Sequence, residues 1–110
     1  MANSKRLNRR AYCYAAVGKL QEAINDATQD LQLRLKAHDH IAMGYIDRAQ
    51  LYTQAKGYEK AILDLNAALA ADPGRTSILR ERAKVYDLMG KKDLANKDRE
   101  TALKTEREQF

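Results

Sequence analysis

The chain predicts an all-α fold, a stack of three helix-turn-helix hairpins, and three observations carry that expectation. The first is composition. Of 110 residues, 32% are charged, one is proline and five are glycine. Alanine, leucine, lysine, arginine, glutamine and glutamate dominate, all good helix formers. The second is internal repetition, the sign of an array of small supersecondary units. Arg48-Ala49-Gln50-Leu51-Tyr52 recurs downstream as Arg82-Ala83-Lys84-Val85-Tyr86, and Arg10-Ala11-Tyr12-Cys13-Tyr14 stands at a slightly longer interval upstream of the middle copy. The third is that each copy continues alike. Ala11, Ala49 and Ala83 are followed, at one unvarying spacing, by Ala23, Ala61 and Ala95, with Gly18, Gly57 or Gly90 between.

The elements follow in order. In the first copy Ala11 and Tyr14 lie on the first helix and Gly18 breaks it. The series Leu20, Ile24, Ala27, Leu31 and Leu35 then runs at helical spacing through four residues that the other copies lack. Four residues make about one turn, roughly 6 Å, so a longer second helix is expected and not a bulged loop. In the middle copy Ile46, Ala49, Tyr52 and Ala55 form one apolar stripe. The glycine after it suits the left-handed conformation that ends helices. Tyr58, Ala61, Ile62, Leu65, Ala68 and Leu69 form the stripe of the next helix, and Asp72-Pro73-Gly74 stops it. The third copy repeats this with Ala83, Tyr86, Gly90, Ala95 and Ala102. Its last helix is heavily charged (Lys97, Asp98, Arg99, Glu100, Lys104, Glu106, Arg107, Glu108), as the polar outer face of a terminal repeat should be. The alanines let helix backbones approach, and a bulkier residue there should overpack at about 1–3 kcal/mol.

This pattern resembles the tetratricopeptide (TPR) family of helix hairpins. The middle copy carries the family's small, aromatic and proline places as Ala49, Tyr52, Tyr58, Ala61, Leu65, Ala68 and Pro73, with Gly57 one place late. The resemblance divides one domain, 1–110, into repeats of about 4–41, 42–75 and 76–109. It departs at Asp30, which stands where the family has alanine, at Asp39 in place of proline, and at Arg99 in place of a large apolar residue.

The resemblance implies a right-handed superhelical stack whose first helices line a concave groove for a partner peptide or helix. Carried over place by place, the partner-binding residues are Asn8, Arg9, Tyr12, Met43, Ile46, Asp47, Gln50, Arg80, Lys84 and Asp87. Lys5, Ala16, Gln54, Ser77 and Glu81 fall on the same face. Tyr12, Met43 and Ile46 would give an apolar anchor, and Gln50, Arg80 and Lys84 donors for carbonyls or carboxylates. The subclass that grips the carboxylate tails of heat-shock chaperones needs lysine, asparagine, asparagine, lysine and arginine at places held here by Asn8, Tyr12, Asp47, Ser77 and Glu81. With two acids among the five, chaperone tails are not expected as partners.

Other function classes are expected to fall away. The net charge of +5 is spread as +4 over residues 1–37, −2 over 38–72 and +3 over 73–110, which permits an acidic partner without demanding nucleic acid. No repeating aromatic or side-chain code along a basic groove is visible, as a single-stranded RNA reader would need. No glycine-rich phosphate loop or nucleophile beside a base is present, so an enzyme and a cofactor are not expected. Cys13, the only cysteine, reads as a small packed side chain, and His38-Asp39-His40 as a polar turn, not a metal site. No apolar run approaches the roughly 18 residues of a membrane span, and the N-terminus lacks a signal-like apolar stretch, so a cytoplasmic protein is expected. Self-association remains an alternative, through the basic first repeat and the acidic middle one.

Overall fold

A computed structural model describes residues 4–109. Six helices follow one another: α1 (Ser4–Ala16), α2 (Leu20–Ala37), α3 (Ile41–Gln54), α4 (Tyr58–Ala71), α5 (Thr76–Leu88) and α6 (Lys92–Glu108). They pair as α1–α2, α3–α4 and α5–α6, and α2 packs on α3 as α4 packs on α5. The second helix of the first hairpin has 18 residues and that of the second has 14. The difference is one more turn of α2, as the apolar spacing predicts.

The hairpin turns are built three times alike. The N–H groups of Lys19, Gly57 and Lys91 each donate to the carbonyls of Tyr14, Tyr52 and Tyr86 at 2.8 Å. This closes the end of each first helix in the manner of a Schellman cap, which needs one left-handed residue just before the donor. Gly18 (φ 79°) and Gly90 (φ 77°) supply it in two turns, and Lys56 (φ 63°) supplies it in the third. The late glycine of the middle copy is thereby explained. Lys56 takes the strained place, and Gly57 is the residue after it.

The alanine columns sit where the backbones meet: Ala23, Ala61, Ala83, Ala95 and Ala102 are fully buried. Two cores result. The larger joins the last two hairpins through Ile46, Ala49, Ala61, Leu65, Ala68, Ile78 and Val85. The smaller joins Ala11, Ala23, Ile24 and Ala27 to Leu51 of α3.

A second repeated device ties each hairpin together. Arg10, Arg48 and Arg82 grip the carboxylates of Asp26, Asp64 and Asp98 respectively, each through two hydrogen bonds of 2.7–2.8 Å. These planar, bidentate pairs are among the stronger polar contacts available. Each guanidinium also lies over a tyrosine one turn on, 5.6–5.9 Å from the ring centre. All three aspartates are buried.

Asp30, where alanine is the family's choice, is 2% exposed and accepts a 2.9 Å bond from Arg34 Nε. Arg34 also donates to the carbonyl of His40 at 3.2 Å. Space for that arginine comes from Gly44 on α3, because a methyl group there would stand 2.9 Å from Arg34 Cδ and 3.0 Å from Leu31 Cδ1. An acid in the packing column is thus offset by a base one turn on and a missing side chain opposite.

His38 and His40, both left-handed (φ 53° and 49°), turn the chain between α2 and α3. Asp39 N–H closes that turn onto the carbonyl of Arg34 at 3.1 Å.

Candidate functional site

The residues offered for a partner fall into distinct environments. Asn8, Arg9 and Tyr12 line a cavity of about 630 Å³ with Lys5, Cys13, Leu33, Arg34 and Ala37. The extra turn of α2 supplies one wall, which is why the cavity belongs to the first hairpin. Tyr12 is 65% exposed, and its ring with Leu33 gives the cavity an apolar floor. Lys5 and Arg9 are exposed and make no ion pair among the described residues.

Asn8 and Tyr12 also border a narrow cleft between α1 and α3, about 50 Å³ in volume, with Asp30, Asp47, Gln50 and Gln54. Burial pushes the Asp47 carboxyl above its ordinary value. Asp30 adds to the rise, and Arg34 and Arg75 oppose it. Gln50 then borders a third cleft, about 170 Å³, with Glu81, Lys84 and Leu88 of α5. Six of the ten expected residues, Asn8, Arg9, Tyr12, Asp47, Gln50 and Lys84, thus share a run of openings across α1, α3 and α5.

The other four do not join them. Ile46 is 7% exposed and belongs to the larger core, so it is no surface anchor. Met43 is half-buried and faces the other end of α3, beside Ala71, Asp72 and Arg75. Arg80 is engaged with Glu106, its Nη2 donating to Oε2 at 2.9 Å, and Asp87 accepts from Arg99. Those ion pairs hold both carboxyls below their ordinary values. They lock α5 to α6 within the last hairpin.

Cys13 is exposed and not packed. It occupies the place of Leu51 and Val85, both of which are buried against the hairpin before them. Among the described residues no hairpin precedes α1. Leu33, Arg34 and Ala37 were missed as site residues. Their signal is the insertion itself, since a lengthened α2 must run beside the start of α1.

Among the described residues no helix is long and apolar enough to cross a membrane.

No protein-family model matches the chain. Human sperm-associated antigen 1 is 32% identical over 94 residues, which is 83% of this chain and 10% of that protein. The chain therefore spans about a tenth of the length of the curated relative it matches. Among solved structures, MamA superposes with a TM-score of 0.82 at 19% identity, covering 97% of this chain and 60% of that one. The first TPR domain of Spaghetti (RPAP3) bound to the HSP90 peptide SRMEEVD superposes at 0.79 with 25% identity, covering 94% and 79%. The second TPR domain of the same protein, with the same peptide, superposes at 0.74 with 24% identity, covering 91% and 89%.

These two peptide-bound domains overturn the expectation that set chaperone tails aside. Domains of the same fold as this chain hold such a tail. The physical weakness of that expectation lay in treating five places as isolated charges. In the structure Glu81 lies 3.6 Å from Lys84, and Lys5 and Arg9 bring positive charge from outside the five.

Proposed function

We propose, from the premise that this chain is a run of three tetratricopeptide repeats, that it is a protein-interaction module taking an extended acidic peptide along α1 and across to α3. The observation that carries the reading is the 630 Å³ cavity, where the exposed Lys5 and Arg9 of α1 stand over an apolar floor of Tyr12 and Leu33, with Asp39 and His40 at its far edge. Such a site suits a carboxylate flanked by an aliphatic side chain. The amides of Asn8, Gln50 and Gln54 continue along the cleft and can pair with the peptide backbone. The peptide held by the two Spaghetti domains, with its run of acids around a valine, has this chemistry.

The module works here as a binding unit with no catalytic step, its three repeats forming one domain over residues 1–110. The cytoplasm is the setting, and a single exposed thiol suits that reducing compartment.

Fluorescence anisotropy of labelled SRMEEVD tests the reading. The expected result is saturable binding that weakens as salt rises. It should fall about tenfold with Arg9→Glu, a loss of about 1.4 kcal/mol, and fall likewise when the peptide's acids are replaced by amides. Equal binding of the acidic and amide peptides, or none of either with the wild type folded, overturns it.

A further inference from the structure

Asn8 and Tyr12 stand at a boundary. On one side is the open cavity with the exposed Lys5 and Arg9, and on the other the narrow cleft that reaches α3. The two openings share these residues and differ in charge. The charged side chains lining the cleft are Asp30 and Asp47, and no base stands with them. Asp30 is engaged, accepting from Arg34 at 2.9 Å. Asp47 is half-buried and makes no ion pair or side-chain hydrogen bond among the described residues. Every other buried or half-buried acid on a described helix pairs with a base on its own or a neighbouring helix. Burial raises the Asp47 carboxyl by more than Arg34 and Arg75 lower it, so those two more distant bases leave its charge undercompensated.

The rest of the lining fits one class of side chain. Asn8, Gln50 and Gln54 bring amide oxygens, and none of the three makes a side-chain hydrogen bond among the described residues. Ala15, Ala27 and Leu51 form apolar walls. Lysine and arginine carry donor-only heads on methylene stems, so carboxylate, amide oxygen and apolar wall each meet a part that suits them. An acidic side chain would face Asp47 with like charge. An aliphatic one would desolvate Asp47 and the amides without pairing them. At about 50 Å³ the cleft takes the end of one side chain.

We infer that Asp47 is a specificity-determining residue of the groove, receiving a lysine or arginine of the same peptide whose acids lie over Lys5 and Arg9. The inference rests on the peptide-binding reading and adds a sign pattern to it. The ligand is then no uniformly acidic tail but a peptide with acids at one end and a base beyond them. Neighbouring helices stand roughly 10 Å apart. An extended chain advances about 3.3 Å per residue, which puts the base about three residues from the nearest acid.

Anisotropy with two labelled peptides separates this from recognition of acids alone. One is SRMEEVD, whose arginine stands three residues before its second glutamate, and the other has alanine for that arginine. The wild type should bind the alanine peptide about fivefold more weakly. Asp47→Asn keeps the shape and an acceptor but loses the charge, so it should bind the two peptides alike, with an unchanged helical spectrum. Arg9→Glu should weaken both peptides whichever residue stands at 47. Equal binding of the two peptides by the wild type, with Arg9→Glu still weakening both, overturns the cation site and leaves the acid site standing. A preference for arginine that persists undiminished in Asp47→Asn also overturns it, since the base would then sit elsewhere. Binding of neither peptide by the folded wild type removes the acidic-peptide reading and this inference with it.

Discussion

Asp64→Ala should be costly out of proportion to its counterpart in the first hairpin, Asp26→Ala. In both hairpins the aspartate is buried and grips arginine twice. The difference lies in the arginine left behind. Arg48 is only 19% exposed, and without Asp64 it keeps one 3.3 Å contact to Thr28 and its stacking on Tyr45 and Tyr52. Removing one partner of a buried ion pair costs about 3–5 kcal/mol. Residual contacts and partial hydration place Asp64→Ala at about 3 kcal/mol on that scale. Arg10, half exposed, can exchange Asp26 for water, and the loss then approaches the roughly 1 kcal/mol of a surface pair. For a domain of this size about 1 kcal/mol moves the melting temperature by about 4 °C, which separates the two variants by about 8 °C. Thermal and urea unfolding followed by far-ultraviolet circular dichroism reads both. Equal losses in the two variants would refute the part given to the arginine's exposure, and a loss below about 0.5 kcal/mol in Asp64→Ala would show that the pair does not anchor its hairpin. Arg48→Met/Asp64→Leu should regain most of the stability, because an apolar pair of similar volume carries no unpaired charge.

Further outcomes are expected. Lys56→Gly should stabilise by somewhat under about 1 kcal/mol, the relief of a left-handed side chain exceeding the added freedom of the unfolded chain; a lower urea midpoint would show that Lys56 is not strained. Ala61→Arg should fail to give a cooperative melt, since it drives a charge between α3 and α4 where no space exists, and an ordinary melt refutes the close packing. Asp87 and Glu106 have carboxyls held below their ordinary values by Arg99 and Arg80. Their stabilisation is complete above the ordinary carboxylate range and is lost as pH falls through the lowered values, so the urea midpoint should hold near neutrality and drop in acid. Arg80→Ala should flatten that drop; an unchanged profile contradicts the assignment. Asp47 has the opposite sign, its carboxyl raised by burial. Asp47→Asn should therefore raise stability at neutral pH and make no difference below the ordinary carboxylate range, and a loss at neutral pH refutes it.

The helices and their order were legible because two signals agreed, the alanine spacing and the recurrence of an Arg-Ala segment. The longer α2 was legible for the same reason, since its apolar series never breaks. Other features are written in the chain less openly. Asp26, Asp64 and Asp98 each follow an arginine of the repeat at one constant interval, but an ion pair at that spacing exists only once the hairpin brings the two helices together. Ile46 was counted both as stripe and as groove anchor, and a helix cannot turn one side chain both ways; burial settles it as core. Lys56 could not be picked as the left-handed residue from sequence, because glycine beside it is the better candidate on steric grounds. Only the hydrogen-bond register decides between them. The cavity wall of Leu33, Arg34 and Ala37 depends on how far the end of α2 reaches along α1. Spacing gives the length of a helix, and the place of its end against a neighbour is a matter of packing.

The two cores described above are unequal, and that gives the stack a direction in which to open. The last two hairpins share the larger core and are tied by Arg82 to α4. The first hairpin meets the rest through the smaller core around Leu51, one bond from Arg48 to Thr28 and the close approach of Leu31 and Arg34 to Gly44. Repeat arrays lose structure unit by unit, from the weakest coupling. Amide exchange should accordingly run fastest in α1, slower in α2 and slowest in α4 and α5. The cavity proposed for the peptide lies in that first hairpin. A ligand there would spend part of its binding energy on closing that hairpin and would slow its exchange most. Affinity and the local stability of the first hairpin would then rise and fall together.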